Sequence, residues 1–152
     1  MAIRVYADTS VYGGVFDAGI DAASREFFAQ VRAGRFALVV SAVVEAELAE
    51  APAAVRGVYE EHLAAAEIVD VTPEALALRQ AYLRAGIVGA KWNTDALHVA
   101  LAAVSRCRAV VSWNFKHIVH FDKIPLYNGV NLINGYEALS INTPAEIITY
   151  ED

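Results

Sequence analysis

The sequence predicts an α/β fold, a three-layer α/β/α sandwich around a mostly parallel sheet. Three observations predict it. Short apolar runs of strand length alternate with longer segments whose apolar residues recur at helical spacing, the pattern of crossover units around a parallel sheet. The run Phe36–Val40 is too short and too apolar to be an exposed edge strand. The chain of 152 residues is 57% hydrophobic, without repeat, linker or low-complexity segment. It therefore reads as a single domain, residues 1–152, able to bury a substantial core.

Ile3–Ala7 is the first strand, closing on Asp8-Thr9-Ser10 and then a loop containing Gly13 and Gly14. Asp21 caps a helix through Arg32 that buries Phe27, Phe28 and Val31 and stops at Gly34. Phe36–Val40 is the second strand. The segment from Ser41 to Ala51 is helical, and its apolar face of Val43, Val44, Leu48 and Ala51 also carries Glu47. Glu45 points well away from that face and Glu50 sits at its border. Pro52 opens a helix to about Ala66, and Glu67–Val71 is the third strand. Thr72-Pro73 caps a helix with Leu78, Ala81, Tyr82 and Ala85 on one face, ending at Gly86.

The segment Lys91–Ile118, KWNTDALHVALAAVSRCRAVVSWNFKHI, has its polar residues gathered at its ends. Asn93 or Thr94 caps a helix with Asp95 in its first turn, and from Ala96 to Val104 only His98 interrupts the apolar run. Arg106–Arg108 turns the chain into the strand Ala109–Val111, and SWNFKHI reads as the opening of another helix. Asp122–Asn134, with Pro125 and Gly129, reads as a loop and a last strand. Thr143-Pro144-Ala145-Glu146 is a capping box that starts a short final helix.

Composition excludes several classes. No apolar run approaches the roughly 20 residues that span a bilayer, so no membrane partner is expected. The N-terminus enters a strand directly, so no secretory leader is expected. The single cysteine, Cys107, excludes an internal disulfide and fits a reducing cytoplasm. A net charge of −6 argues against broad, non-specific nucleic-acid binding, while leaving room for a local basic rim. The apolar fraction is high for a domain of this size and implies a face covered by a second copy, a homodimer.

Right-handed crossovers place the carboxyl ends of the strands and the amino ends of the helices along one edge. Asp8, Ser41, Glu47, Asp95, Ser112, Asn114 and His117 should crowd that edge. Taken alone, Asp95 reads first as a charge that starts its helix, and His98 as a hydrogen-bonded core residue rather than a ligand. Carboxylates gathered together repel unless a divalent cation joins them. Oxygen ligands suit Mg²⁺ or Mn²⁺, and such a site suits phosphodiester hydrolysis.

In order, DTS after the first strand, Glu47-Leu48 six residues after Ser41, TDALHVA and SWNFKHI resemble the motifs of the PIN-domain family. The likeness is to its small stand-alone toxin-type (VapC-like) ribonucleases and covers nearly the whole chain. It implies a Mg²⁺- or Mn²⁺-dependent endoribonuclease, frequently dimeric, with Asp8, Glu47 and Asp95 as the main acidic residues. Asn114 stands where the family carries Asp or Asn. Ser10 and Ser112 match small hydroxyl residues that support the site. His117 stands where Asp is frequent, and reads either as a phosphate contact or as a cap of the local turn.

The leading expectation is therefore metal-dependent cleavage of single-stranded or structured RNA, with an antitoxin as possible partner. Lys91 and Lys116, with Arg106 or Arg108, would position the RNA backbone. Trp92 and Trp113 would either stack on bases or pack. The alternative is a catalytically weak or inactive PIN-like module that binds RNA or a protein through its acidic edge. An aspartyl phosphatase ranks last, because it would carry a second Asp two residues after Asp8, where Ser10 stands.

Overall fold

A computed structural model describes residues 1–150. Five strands form one sheet: β1 (Ile3–Ala7), β2 (Phe36–Ser41), β3 (Glu67–Val69), β4 (Ala109–Val111) and β5 (Ser140–Asn142). Their order is β3-β2-β1-β4-β5, and each neighbouring pair is parallel. Eight α-helices flank it: α1 (Thr9–Gly14), α2 (Asp21–Arg32), α3 (Ala42–Ala49), α4 (Ala53–Leu63), α5 (Pro73–Arg84), α6 (Asn93–Val104), α7 (Ile124–Ile133) and α8 (Pro144–Ile147). A 3₁₀ turn, Ala90–Trp92, leads into α6.

The strand order determines where a site forms. From β1 the chain moves outward through β2 to β3, then returns through α5 and α6 to place β4 on the other side of β1. Right-handed crossovers put α1–α4 on one face of the sheet and α5–α7 on the other. The direction of winding reverses between β1 and β4, and the crevice beyond their carboxyl ends is the usual ligand position in such a sheet. Asp8 follows β1 and Ser112 follows β4, so this crevice lies between them.

The core explains the strands' composition. Val5, Tyr6, Ala7, Val39, Val40, Val110 and Val111 are fully buried, covered by helices on both sides. Helix α6 is buried at every position from Ala96 to Ala103, as its unbroken apolar sequence requires. Thr72 caps α5 by accepting a hydrogen bond from Ala75 N at 3.2 Å, and Glu146 accepts from Thr143 N at 2.8 Å at the start of α8.

Several elements differ from the sequence expectation. The loop after Asp8 is a helix, α1, because the Asp8 carboxylate accepts from Ser10 N and caps it. Gly14 ends α1 in close contact with α2, where a Cβ would lie 2.6 Å from Ser24 Oγ and 2.7 Å from Trp113 Nε1. The glycine there serves close approach. SWNFKHI makes no helix. Asn114 Oδ1 accepts from His117 N at 2.9 Å, and this side-chain turn competes with helical continuation. The segment read as a loop and strand is α7, with Tyr127 and Asn131 facing inward one turn apart; Asn131 receives the Tyr82 hydroxyl hydrogen bond. Its outer face is also apolar, so the helical period is hidden in the sequence. Neither Asn93 nor Thr94 caps α6, nor does Asp21 cap α2: Trp92 and Ile20 hold those cap positions, without side-chain cap bonds, and Asp21 lies in the first turn.

Replacing Gly14 by Ala should force Trp113 off Ser24 and destabilise the fold by about 1–3 kcal/mol, the usual cost of overpacking. Urea denaturation of Gly14→Ala checks it, and a midpoint equal to wild type would show that the contact yields freely.

Candidate active site

Asp8 is the centre of the crevice and is only 4% exposed. Its Oδ1 accepts from Ser10 N at 3.1 Å and from Ser10 Oγ at 2.5 Å; its Oδ2 accepts from Ser112 Oγ at 2.6 Å. Each serine in turn accepts from a backbone N–H of the segment after β4, Ser10 from Trp113 and Ser112 from Asn114, both at 2.9 Å. The two hydroxyls thus join the ends of β1 and β4 through one carboxylate. Burial pushes the Asp8 carboxyl above its ordinary value and the charge of Glu47 adds to this, against the opposing influence of His98, Ser10 and Ser112.

Glu47 faces the same edge from α3, but its side chain is 38% exposed and does not lie on the buried face that helical phase predicted. Its Oε1 accepts from Thr9 Oγ1 at 2.8 Å and from His98 Nε2 at 2.5 Å. Burial acts to raise this carboxyl, but the His98 hydrogen bond and charge, with the Thr9 bond, outweigh it and hold it below the ordinary value. A carboxylate only accepts, so His98 Nε2 carries a hydrogen. His98 Nδ1 pairs with the Tyr6 hydroxyl at 2.8 Å, and that hydroxyl pairs with Ser41 Oγ at 2.7 Å. All three residues are buried, so the chain Ser41–Tyr6–His98 reaches from the end of β2 through β1 to the carboxylate of Glu47. Glu45 lies on the other side of α3, where its charge acts on Tyr59.

Asp95, half-buried in the first turn of α6, receives no hydrogen bond from the described residues. Its charge acts on His117 and Tyr127. His117 is 8% exposed, and neither ring nitrogen has a partner. Burial lowers its pKa, opposed by Asp95 and reinforced by Lys116 and Lys123. Its ring stacks on Trp92, and Lys91 and Lys116 both stand over that indole. Trp113 packs: its Nε1 donates to Ser24 Oγ at 2.8 Å.

The edge therefore holds three groupings, Asp8 with Ser10, Ser112 and the Asn114 backbone, Glu47 with Thr9 and His98, and Asp95 beside His117. Among the described residues no three His, Cys, Asp or Glu side chains lie close enough together to hold a metal ion. Asn114 spends its Oδ1 on the turn that holds His117. The donor chemistry nonetheless fits a hard divalent cation: the carboxylates offer oxygen only, and Asp95 is free of protein donors. A cleft of about 440 Å³, lined by Ala42, Val43, Ala46, Glu47, Val71 and Thr94, opens beside Glu47.

Sequence reasoning left open the role of His98 and found neither the Thr9–Glu47 bond nor the Tyr6 link. The one available signal was His98 itself, the sole polar residue between Ala96 and Val104 and one turn after Asp95. No helix among the described residues is long and apolar enough to cross a membrane.

No protein-family profile and no curated protein matches the sequence. Solved structures do. VapBC2 from Rickettsia felis bound to a DNA fragment from its promoter is similar at 14% identity and a TM-score of 0.57, covering 93% of this chain and 98% of that chain. FitAcB from Neisseria gonorrhoeae is similar at 14% identity and 0.56, covering 92% and 97%. VapC20 from Mycobacterium tuberculosis, a Sarcin-Ricin loop cleaving toxin, is similar at 13% identity and 0.50, covering 89% and 98%. At this identity the likeness is one of fold: the chain has the VapC-like PIN-domain fold.

The raised pKa of Asp8 has a consequence for stability. Ionising it is harder in the folded than in the unfolded chain, so its contribution is full below the unfolded value and is lost as pH rises through the folded one. Asp8→Asn, which keeps the shape and an oxygen for Ser10, should be more stable than wild type at neutral pH. The gap should close as pH falls below the ordinary carboxyl value of 3.8. Chemical denaturation in chelator across that range measures it; a less stable Asn variant at neutral pH would mean that the hydroxyl bonds outweigh the burial.

Proposed function

We propose that this chain is a Mg²⁺- or Mn²⁺-dependent endoribonuclease of the toxin type, acting in the cytoplasm on single-stranded or structured RNA and held in check by an antitoxin. The observation that carries the reading is Asp8, a buried carboxylate at the switch point of a fold shared with a Sarcin-Ricin loop cleaving toxin. The likeness to VapBC2 and FitAcB supports the antitoxin partner.

In this reading Asp8, Asp95 and Glu47 hold the ion, which when bound supplies an activated water and stabilises charge on the scissile phosphate. Ser10 and Ser112 fix the orientation of Asp8, and Thr9 and His98 that of Glu47. Asn114 keeps the segment after β4 in the turn that carries His117. Lys91 and Lys116 take phosphate oxygens of the RNA backbone.

The second reading is a PIN-like binding module with weak or no catalysis. The absence of a close group of three acids among the described residues favours it, together with the capture of Glu47 by His98. Homodimerisation belongs to either reading, through the exposed apolar residues Phe121, Leu126, Leu132 and Ile133 on and before α7.

The purified protein should cut RNA internally with Mg²⁺ or Mn²⁺ and stop with EDTA. Asp8→Ala and Asp95→Ala should each lose cutting and lose Mn²⁺ binding by calorimetry. Asn114→Asp should hold or increase the rate by adding a negative charge, and Glu45→Ala should leave it unchanged. Mn²⁺ binding unaltered in both Asp variants would sink the metal assignment. Intact Mn²⁺ binding with no cutting of any RNA would favour the binding module.

Sedimentation should show a dimer for wild type and a monomer for Ile133→Asp; a wild-type monomer at micromolar concentration would remove the dimer.

A further inference from the structure

The sequence contains three lysines, Lys91, Lys116 and Lys123, and the fold gathers all three around the pair formed by Trp92 and His117. The indole and imidazole stack with centroids 4.4 Å apart at 28°. Lys91 Nζ stands 5.0 Å and Lys116 Nζ 5.5 Å from the centre of the same indole. Lys123 donates to the Ile87 carbonyl, and its charge is felt at His117.

Lys91 and Lys116 make no ion pair or hydrogen bond among the described residues, although the chain carries a net charge of −6. Two like charges converging on one ring repel, and the ring quadrupole offsets only part of that. His117 fills one face of the indole, yet Trp92 remains 36% exposed while His117 is 8% exposed with both nitrogens unpartnered. A buried imidazole without partners is costly, and here its flat ring backs the indole. The product is an indole that His117 backs and over which only two unpaired ammonium groups stand. A nucleobase takes an aromatic face when the unpaired ammonium groups over the ring move off it to the phosphates on either side. An acidic peptide would use the lysines but leave the indole face unused.

We propose that Trp92, backed by His117, is the stacking platform of a single-stranded nucleic-acid subsite, with Lys91 and Lys116 binding the phosphates that flank the stacked base. Trp92 immediately precedes α6, whose first turn carries Asp95, and Asp95 acts electrostatically on His117. A strand held on the platform therefore passes the acidic edge with its next phosphodiester. This rests on the ribonuclease reading only for the strand being a substrate; binding itself is separate from cutting.

The test is fluorescence anisotropy of the full-length protein with a labelled ten-nucleotide RNA in EDTA, where no metal-dependent cutting occurs. Trp92→Leu should weaken binding about tenfold, within the range of one base stacked on one aromatic ring. Lys91→Gln and Lys116→Gln should each reduce the slope of log affinity against log salt by about 0.7. His117→Phe preserves a flat backing ring and should retain binding. Indole emission should change on RNA addition in wild type and not in Trp92→Leu, since Trp113 is held by Ser24.

Binding by a folded Trp92→Leu within twofold of wild type overturns the platform, as does absence of wild-type binding at low salt. Loss in His117→Phe equal to that in Trp92→Leu overturns the backing role, because the imidazole would then touch the RNA. Displacement of RNA by a Glu-rich peptide at equal concentration, unaffected by Trp92→Leu, overturns the subsite in favour of protein docking. Metal-dependent cutting with Trp92-independent binding removes the subsite alone; Trp92-dependent binding without cutting removes the nuclease reading alone.

Discussion

The Asp8 carboxylate is shared between hydroxyls that belong to two different strand ends, and this arrangement organises the functional edge. Ser10 and Ser112 donate to its two oxygens, and each accepts from a backbone N–H of the chain that leaves β4. Four hydrogen bonds thus converge where the sheet's winding reverses. They hold together two strands that are distant in sequence, and they do so with a charge that burial opposes. Neutral groups of the same shape would close this junction at lower electrostatic cost. Retaining an acid there makes sense where its charge is used.

The same edge keeps its charges apart. Glu47 is held by Thr9 and by His98, which is itself anchored through Tyr6 to Ser41. Asp95 lies beyond, toward His117 and the lysines. Each carboxylate has its own local environment. Thr9 and His98 both bond Glu47 Oε1, which leaves Oε2 as the oxygen open to a cation.

What was legible in the sequence follows from the range of the interactions. The strands β1, β2 and β4 were legible because burial on both faces demands apolar runs, interrupted in β1 only by Arg4 near its start. Glu47 was separated from Glu45 by helical phase, a property of one element. Ser10 and Ser112 were placed by resemblance, and their hydrogen bonds to Asp8 give those positions a physical reason. The partners of His98 were not legible, because Tyr6 and Glu47 come from other elements and only the sheet order brings them together. Helix α1 was hidden by its two glycines, one of which serves close packing against Trp113 rather than a turn. Helix α7 was hidden by Pro125 and Gly129 and by an outer face as apolar as its inner one.

That outer face and the lysine rim pose opposite problems of solvation. Leu132 and Ile133 on α7 expose apolar surface that water disfavours, whereas Lys91 and Lys116 expose charges that water solvates well. An apolar face lowers its free energy by meeting another apolar face, and symmetry makes a second copy the simplest source. The lysines gain little from such a contact. Their convergence on one indole instead concentrates positive charge beside an acidic edge, where repulsion would otherwise keep a polyanion away. In the proposed reading, a chain of net charge −6 needs such a local reversal before a phosphate backbone approaches its carboxylates. Placing every lysine on one rim supplies it without altering the acidic character of the rest of the surface.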